Sequence, residues 1–169
     1  SILDLNCTGM GAGTITAGAG ALSIGGSITL VSAMTLSYTG ALTLNATSTG
    51  KTITSATKVL TSSTITFNGV GGEWTLQDAI VAGSTVCTLT NGSLNTNGQT
   101  VSTTTFSSSN ANTRSLTLGA TIWTVTATGT AWDCSTGTNL TVTPGTSTIK
   151  LTDATSTFAG GGKTYNNLW

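Results

Sequence analysis

Thr52-Ile53-Thr54, Thr75-Leu76-Gln77, Thr100-Val101-Ser102, Thr124-Val125-Thr126 and Thr148-Ile149-Lys150 are short phrases of one kind, and their regular interval decides the fold. Each carries one apolar residue between small or polar neighbours. The interval is about 24 residues, a spacing typical of coiled repeats. A second series runs Leu42, Ile65, Leu89, Leu116, Leu140 and on to Tyr165; a looser third runs Leu60, Phe106, Trp132, Phe158. Three interleaved apolar columns on one period predict a coil with up to three short strands in each turn. Around them, segments such as Ile28-Thr29-Leu30 and Leu42-Thr43-Leu44 alternate strictly, the mark of a half-buried strand.

The expected fold is therefore all-β: a parallel β-helix, or solenoid, with about 24 residues per turn. The alternative is an antiparallel β-sandwich, since Asn91-Gly92 and Asn97-Gly98 would also suit hairpins. The parallel coil is preferred because outward threonines keep register with the apolar residues. Thr43, Thr66, Thr90, Thr117 and Thr141 each follow the second series by one, and Thr52, Thr75, Thr100, Thr124 and Thr148 each precede the first by one. Residues 1–169 read as a single solenoid domain, with a Gly/Ala-rich, less regular stretch over 1–26. About seven turns stacked at roughly 4.8 Å would give a rod of about 33 Å.

Composition narrows function. Charged residues make up 6% of the chain, against a globular norm of about 25%. The net charge is zero, so nothing recruits nucleic acid or an anionic lipid surface. Solubility then rests on hydroxyls and amides, or on assembly. Disorder is disfavoured by the abundance of Thr, Val and Ile. Apolar runs are too short for a membrane-spanning helix. The chain opens at Ser1 without an initiator Met and closes on Leu168-Trp169, so processing or a longer parent is expected. Cys7, Cys87 and Cys134 lack metal-site spacing and are expected to be buried free thiols. Sequons at Asn6, Asn45, Asn91 and Asn139 follow from an Asn- and Thr-rich composition.

Candidate chemistry is thin. Gly160-Gly161-Gly162-Lys163-Thr164 fails as a phosphate loop, because Thr157 stands where its first glycine belongs and no helix pattern follows. Asp4, Glu73, Asp78, Asp133 and Asp153 are not forced into a pair, and with no His the usual nucleophilic triads are excluded. No catalytic residue, metal or cofactor is expected. Two binding arrangements stand out. Trp74 beside Glu73 could stack on a sugar ring and bond its hydroxyls, although Trp74 also reads as core, as do Phe106, Trp132 and Phe158. Thr64, Thr66, Thr88, Thr90, Thr117 and Thr141 form a candidate surface threonine array of the kind that binds ice; Ser115, Asn139, Gln77 and Lys150 interrupt such planes.

From Ser63 to Trp169 the chain resembles low-complexity repeat segments of bacteriophage virion proteins and of environmental bacterial surface proteins. The resemblance lies in Thr64-Ile65-Thr66-Phe67, Trp74-Thr75-Leu76, Leu116-Thr117-Leu118-Gly119, Asn139-Leu140-Thr141-Val142 and the ending Phe158-Ala159-Gly160-Gly161-Gly162-Lys163-Thr164-Tyr165-Asn166-Asn167-Leu168. It implies a structural or attachment role on a virion or cell surface. The expectation is a non-enzymatic extracellular protein, first a phage fibre, spike or capsid decoration, partnered by copies of itself or other virion proteins, with a cell-surface glycan as a further candidate. A bacterial adhesin or self-assembling filament comes next, and an ice-binding protein third.

Overall fold

The computed structural model describes residues 2–16, 18–82 and 84–169; Ser1, Ala17 and Gly83 lie outside it. Among the described residues there is no helix, and every paired strand is parallel to its neighbour. The chain is a parallel β-solenoid of about 7 turns with ~22 residues per turn. Parallel pairing of strands so far apart excludes the antiparallel sandwich, whose neighbours would run in opposite directions.

Three stacks of strands carry the coil. In the first, Leu5, Ile28, Ile53 and Leu76 lie one above another, and the same stack continues two positions over as Trp74, Leu94, Leu116 and Val142. In the second, the inward ladder is Leu22, Leu42, Ile65, Cys87, Phe106, Trp132, Phe158. The third climbs through Ile80, Val101, Trp123, Ile149 and Leu168, with Thr14–Ile15 on Thr35–Leu36 lower down. Alternation sends these residues inward and their Ser and Thr neighbours outward.

The turns are uneven. Successive partners are 19 residues apart from Cys87 to Phe106 but 26 from Phe106 to Trp132. The expected columns therefore hold locally and then change stacks. Ile53 lies under Leu76, but Val101 belongs to the third stack, on Ile80. Val125 sits one inward position further, on Thr103. Leu42 and Ile65 pair, whereas Leu116 and Leu140 belong to the first stack. Leu60 is separate from the Phe106–Trp132–Phe158 ladder, which does hold in register. The physical reason is that corners of different length bring residues of different stacks to similar intervals. Asn95 also pairs with Thr75, so Thr96 comes next in line over Leu76, a buried hydroxyl where the apolar beat falls silent.

The core is graded. Below, it is mostly aliphatic, with Tyr38 and the Phe67–Trp74 pair among the aliphatic residues; above, Phe106, Trp123, Trp132, Phe158 and Tyr165 interlock, with Phe106 and Trp132 centroids 4.4 Å apart and Trp123 edge-on to Trp132 at 5.3 Å. Such contacts add about 0.5–1.5 kcal/mol per pair beyond area burial. The gaps left along the axis are small, about 30 Å³ each, and lined almost entirely by apolar side chains.

Corners are closed by polar groups bridging adjacent turns. Inside, Thr96 Oγ1 donates to the Leu118 carbonyl at 2.9 Å and lies 2.6 Å from Thr121 Oγ1; Ser55 Oγ donates to Ala79 at 2.7 Å. Outside, Asp78 accepts the backbone N–H groups of Ser55 and Ala56, both at 2.7 Å, where Ala56 and Thr57 take the left-handed conformation. Each bridge satisfies a backbone group that the strand ladder leaves over at the bend.

Gly92 and Gly50 separate two effects of a side chain at a corner. Both have positive φ, 78° and 77°. A Cβ at Gly92 would stand 2.3 Å from the Gly69 carbonyl oxygen, whereas at Gly50 it meets nothing within 4 Å. Gly92→Ala is expected to cost about 3 kcal/mol, strain plus clash, and Gly50→Ala about 1 kcal/mol, strain alone. Urea denaturation of the two variants checks the contrast.

All three cysteines are free and buried. Desolvation pushes the Cys87 thiol from its ordinary 9.0 up to about 12 and raises Cys7 and Cys134 in the same direction. The folded state thus favours the neutral thiol. Stability is expected to be unaffected by Cys87 below pH 9 and to fall between pH 9 and about 12, by about 1 kcal/mol per pH unit for this thiol. Urea midpoints across alkaline pH measure it, with Cys87→Ala flattening the slope.

Candidate functional site

The most distinctive surface feature comes from one short corner between two long ones. Between the second and first stacks, the chain runs from Asn68 to Glu73 in one turn, but the matching step above it is only Asn91 to Ser93. In the next turn up, Ser107 lies over Thr88 and Arg114 over Gly92, so the corner lengthens again across residues 108–113. The long corners project and the short one recedes. The result is a recess of about 670 Å³, walled by Val70 and Gly71 below and by Ala111, Asn112 and Thr113 above, with Asn91, Gly92 and Ser93 as its floor. Ser115 and Thr141 extend that floor up the first stack.

The upper wall is firmly held. Asn112 Nδ2 donates to the Thr90 carbonyl at 3.0 Å, Asn110 Nδ2 to Leu89 at 3.4 Å and Asn139 Nδ2 to Ala111 at 2.9 Å. Behind it lies Arg114, 1% exposed. Its guanidinium donates to the carbonyls of Ser108 (2.8 Å), Thr136 (3.0 Å), Thr138 (3.0 Å) and Asn112, and its Nε to Ser108 Oγ at 2.9 Å. Burial pulls this guanidinium below its ordinary value. The five bonds all go to neutral oxygens, so the cation works as a five-way donor pinning two loops rather than as half of an ion pair. In the recess itself, Asn91 Nδ2 donates to Asn68 Oδ1 at 2.7 Å. Among the described residues, the hydroxyls of Ser93, Thr113, Ser115 and Thr141 have no protein partner.

The sequence-predicted residues distribute as follows. Trp74 is 0% exposed, edge-on to Phe67 at 5.5 Å, with its indole N–H donating to Gly26 at 3.4 Å. A side chain so enclosed presents no face to a sugar, which removes it as a glycan contact. Glu73 points outward, half-buried, one strand below Ser93. Thr66 and Thr88 are neighbours in an outward ladder Ser23–Thr43–Thr66–Thr88–Ser107. Thr64 lies beside Val86, not another threonine. Thr90 falls in the irregularity between Leu89 and Asn91, out of register. Thr117 and Thr141 belong to the first stack, on Asn95 and Ser115. The six threonines are therefore split between two faces.

Sequence reasoning missed the recess entirely, and missed Arg114. The available signal was the interval itself: a shortened step at Asn91-Gly92 between two longer ones. An arginine in an almost uncharged chain, flanked by Asn110, Asn112 and Asn139, was the second. No family model, curated protein or solved structure matches this chain.

Arg114→Met is expected to cost about 3 kcal/mol, because it strands carbonyls that have no other donor. Arg114→Lys, with three donors, should recover part of that. Urea denaturation measures both, and hydrogen exchange should rise in residues 108–113 and 136–139.

Proposed function

We propose that this chain is a non-enzymatic structural protein, a stiff solenoid rod serving as a bacteriophage virion component (fibre, spike or capsid decoration) in assembly or host attachment, and so lying on the particle or outside the cell. The observation carrying the reading is the in-register ladder from Leu22 to Phe158, a continuous spine along the axis. Such a stack can carry load through the backbone hydrogen bonds that join successive turns. Four of the five carboxylates are occupied in keeping the turns: Asp4 accepts from Ser27 N–H at 2.6 Å, Asp78 from Ser55 and Ala56, Asp133 from Ser135, Asp153 from Thr155. The virion setting draws on the likeness of residues 63–169 to phage structural repeats, and the near-absence of charge suits a protein held in an assembly.

A self-assembling surface filament or adhesin is the second reading. It is favoured by Leu140–Thr143, which has a strand neighbour on only one side among the described residues and so offers an open edge. Ice binding draws less support, because the outward ladders mix Thr with Glu73, Asn95 and Asp133.

Density-gradient fractionation of lysates carrying the gene, probed with antiserum to the chain, tests the proposal. The expected result is co-migration with DNA-containing particles at fixed stoichiometry. Recovery only as DNA-free helical polymers, or only in cell-wall extracts, would overturn the virion assignment in favour of the filament or adhesin.

A further inference from the structure

We infer that the recess between the 68–72 and 108–113 corners is a binding site for a neutral oligosaccharide. The inference rests on the attachment half of the function proposed above and gives it a place and a ligand class. At about 670 Å³ the recess is of the size that small-ligand sites occupy, roughly 300–1,000 Å³. Its floor carries a short ladder: Ser93, Ser115 and Thr141 stack in register on adjacent strands, so their hydroxyls repeat at about 4.8 Å. These hydroxyls have no partner among the described residues, and each can both donate and accept. Saccharide hydroxyls have the same dual character, which makes the match one of kind as well as of position.

The walls supply the rest of the chemistry. Asn91 on the floor and Asn112 on the upper wall present side-chain amides to the recess, each with its N–H₂ group hydrogen-bonded to the protein and so fixed in direction. Val70, 72% exposed on the lower wall, and Ala111 on the upper offer apolar surface to the C–H faces of a sugar. Charge selects against other ligands. Among the described residues, the ionised group lining the recess is Arg114, and its guanidinium is committed inward to loop oxygens. The nearest charge on the first stack is the carboxylate-bearing Glu73 below Ser93. An anionic ligand would meet an acid and no available cation. With no aromatic platform in the lining, affinity comes from hydrogen bonding and shape alone, which suits multivalent display of weak sites.

Rigidity strengthens the case. The upper wall is held by three asparagine bridges and by Arg114, so binding orders little that is not ordered already. Gly92 at positive φ lets the floor sink against the carbonyls of Gly69 and Gly72, which a side chain there would strike.

The test is titration of the isotope-labelled full chain with maltohexaose, cellohexaose, chitohexaose and mannohexaose, read by amide chemical shifts, with polygalacturonate and heparin oligosaccharides as anionic comparisons. The expected result is saturable shifts from at least one neutral probe, centred on Ser93, Ser115 and Thr141, and none from the anions. Ser115→Arg, an outward substitution into the recess, should weaken binding at least about tenfold with an unchanged thermal melt. Ser102→Arg, outward on the third stack, should leave it unaltered. No shift with any of the four neutral probes, shifts mapping elsewhere, preferential binding of the anions, or full affinity in Ser115→Arg would each overturn the inference. Particle association is read by a separate experiment, so failure here leaves the structural proposal standing.

Discussion

Backbone hydrogen bonding between successive parallel turns is the constraint on which everything else depends. Each strand has its N–H and C=O groups satisfied only by the turns above and below, so every corner must return the chain to the same place. Side chains then follow from that register. Inward residues fall on inward residues, and a column tolerates any apolar occupant that fills the space: Ile65 under Cys87 under Phe106 under Trp132. The hydroxyls of Thr96 and Ser55 and the carboxylate of Asp78 serve the same end, filling bonds that the ladder leaves open at the bends.

This division of labour explains how much the sequence discloses. Strand interiors are legible, because alternation is a property of the strand itself: Leu42-Thr43-Leu44 and Phe106, Trp132, Phe158 read directly as inward columns. The parallel coil is legible too, from the recurrence of like residues at one interval. Register across long distances is not. Leu76 and Val101 are separated by nearly the expected period yet lie on different stacks, since a corner shortened in one turn and lengthened in the next preserves the interval while moving the residue. Thr96 and Thr121 hide the core further, as buried hydroxyls look like surface in a hydropathy pattern.

The recess is illegible for the same reason. Its residues are ordinary Asn, Ser, Thr and Gly, indistinguishable by type from dozens of others in the chain. Only the difference between corner lengths in adjacent turns creates a concave surface. Trp74 is the converse case, a residue type suggestive of sugar binding whose parity in the strand, visible in the sequence, places it in the core.

The graded interior has a mechanical meaning. Aromatic rings interlock across Phe106, Trp123, Trp132, Phe158 and Tyr165, whereas around Ile28, Leu42 and Ile53 the packing is mostly aliphatic. In a one-dimensional stack each layer is stabilised mainly by its neighbours, so disassembly begins where the coupling is smallest. The solenoid therefore has a polarity in strength as well as in chain direction. The layers around Ile28, Leu42 and Ile53 are expected to open first, with the aromatic block the last to unfold.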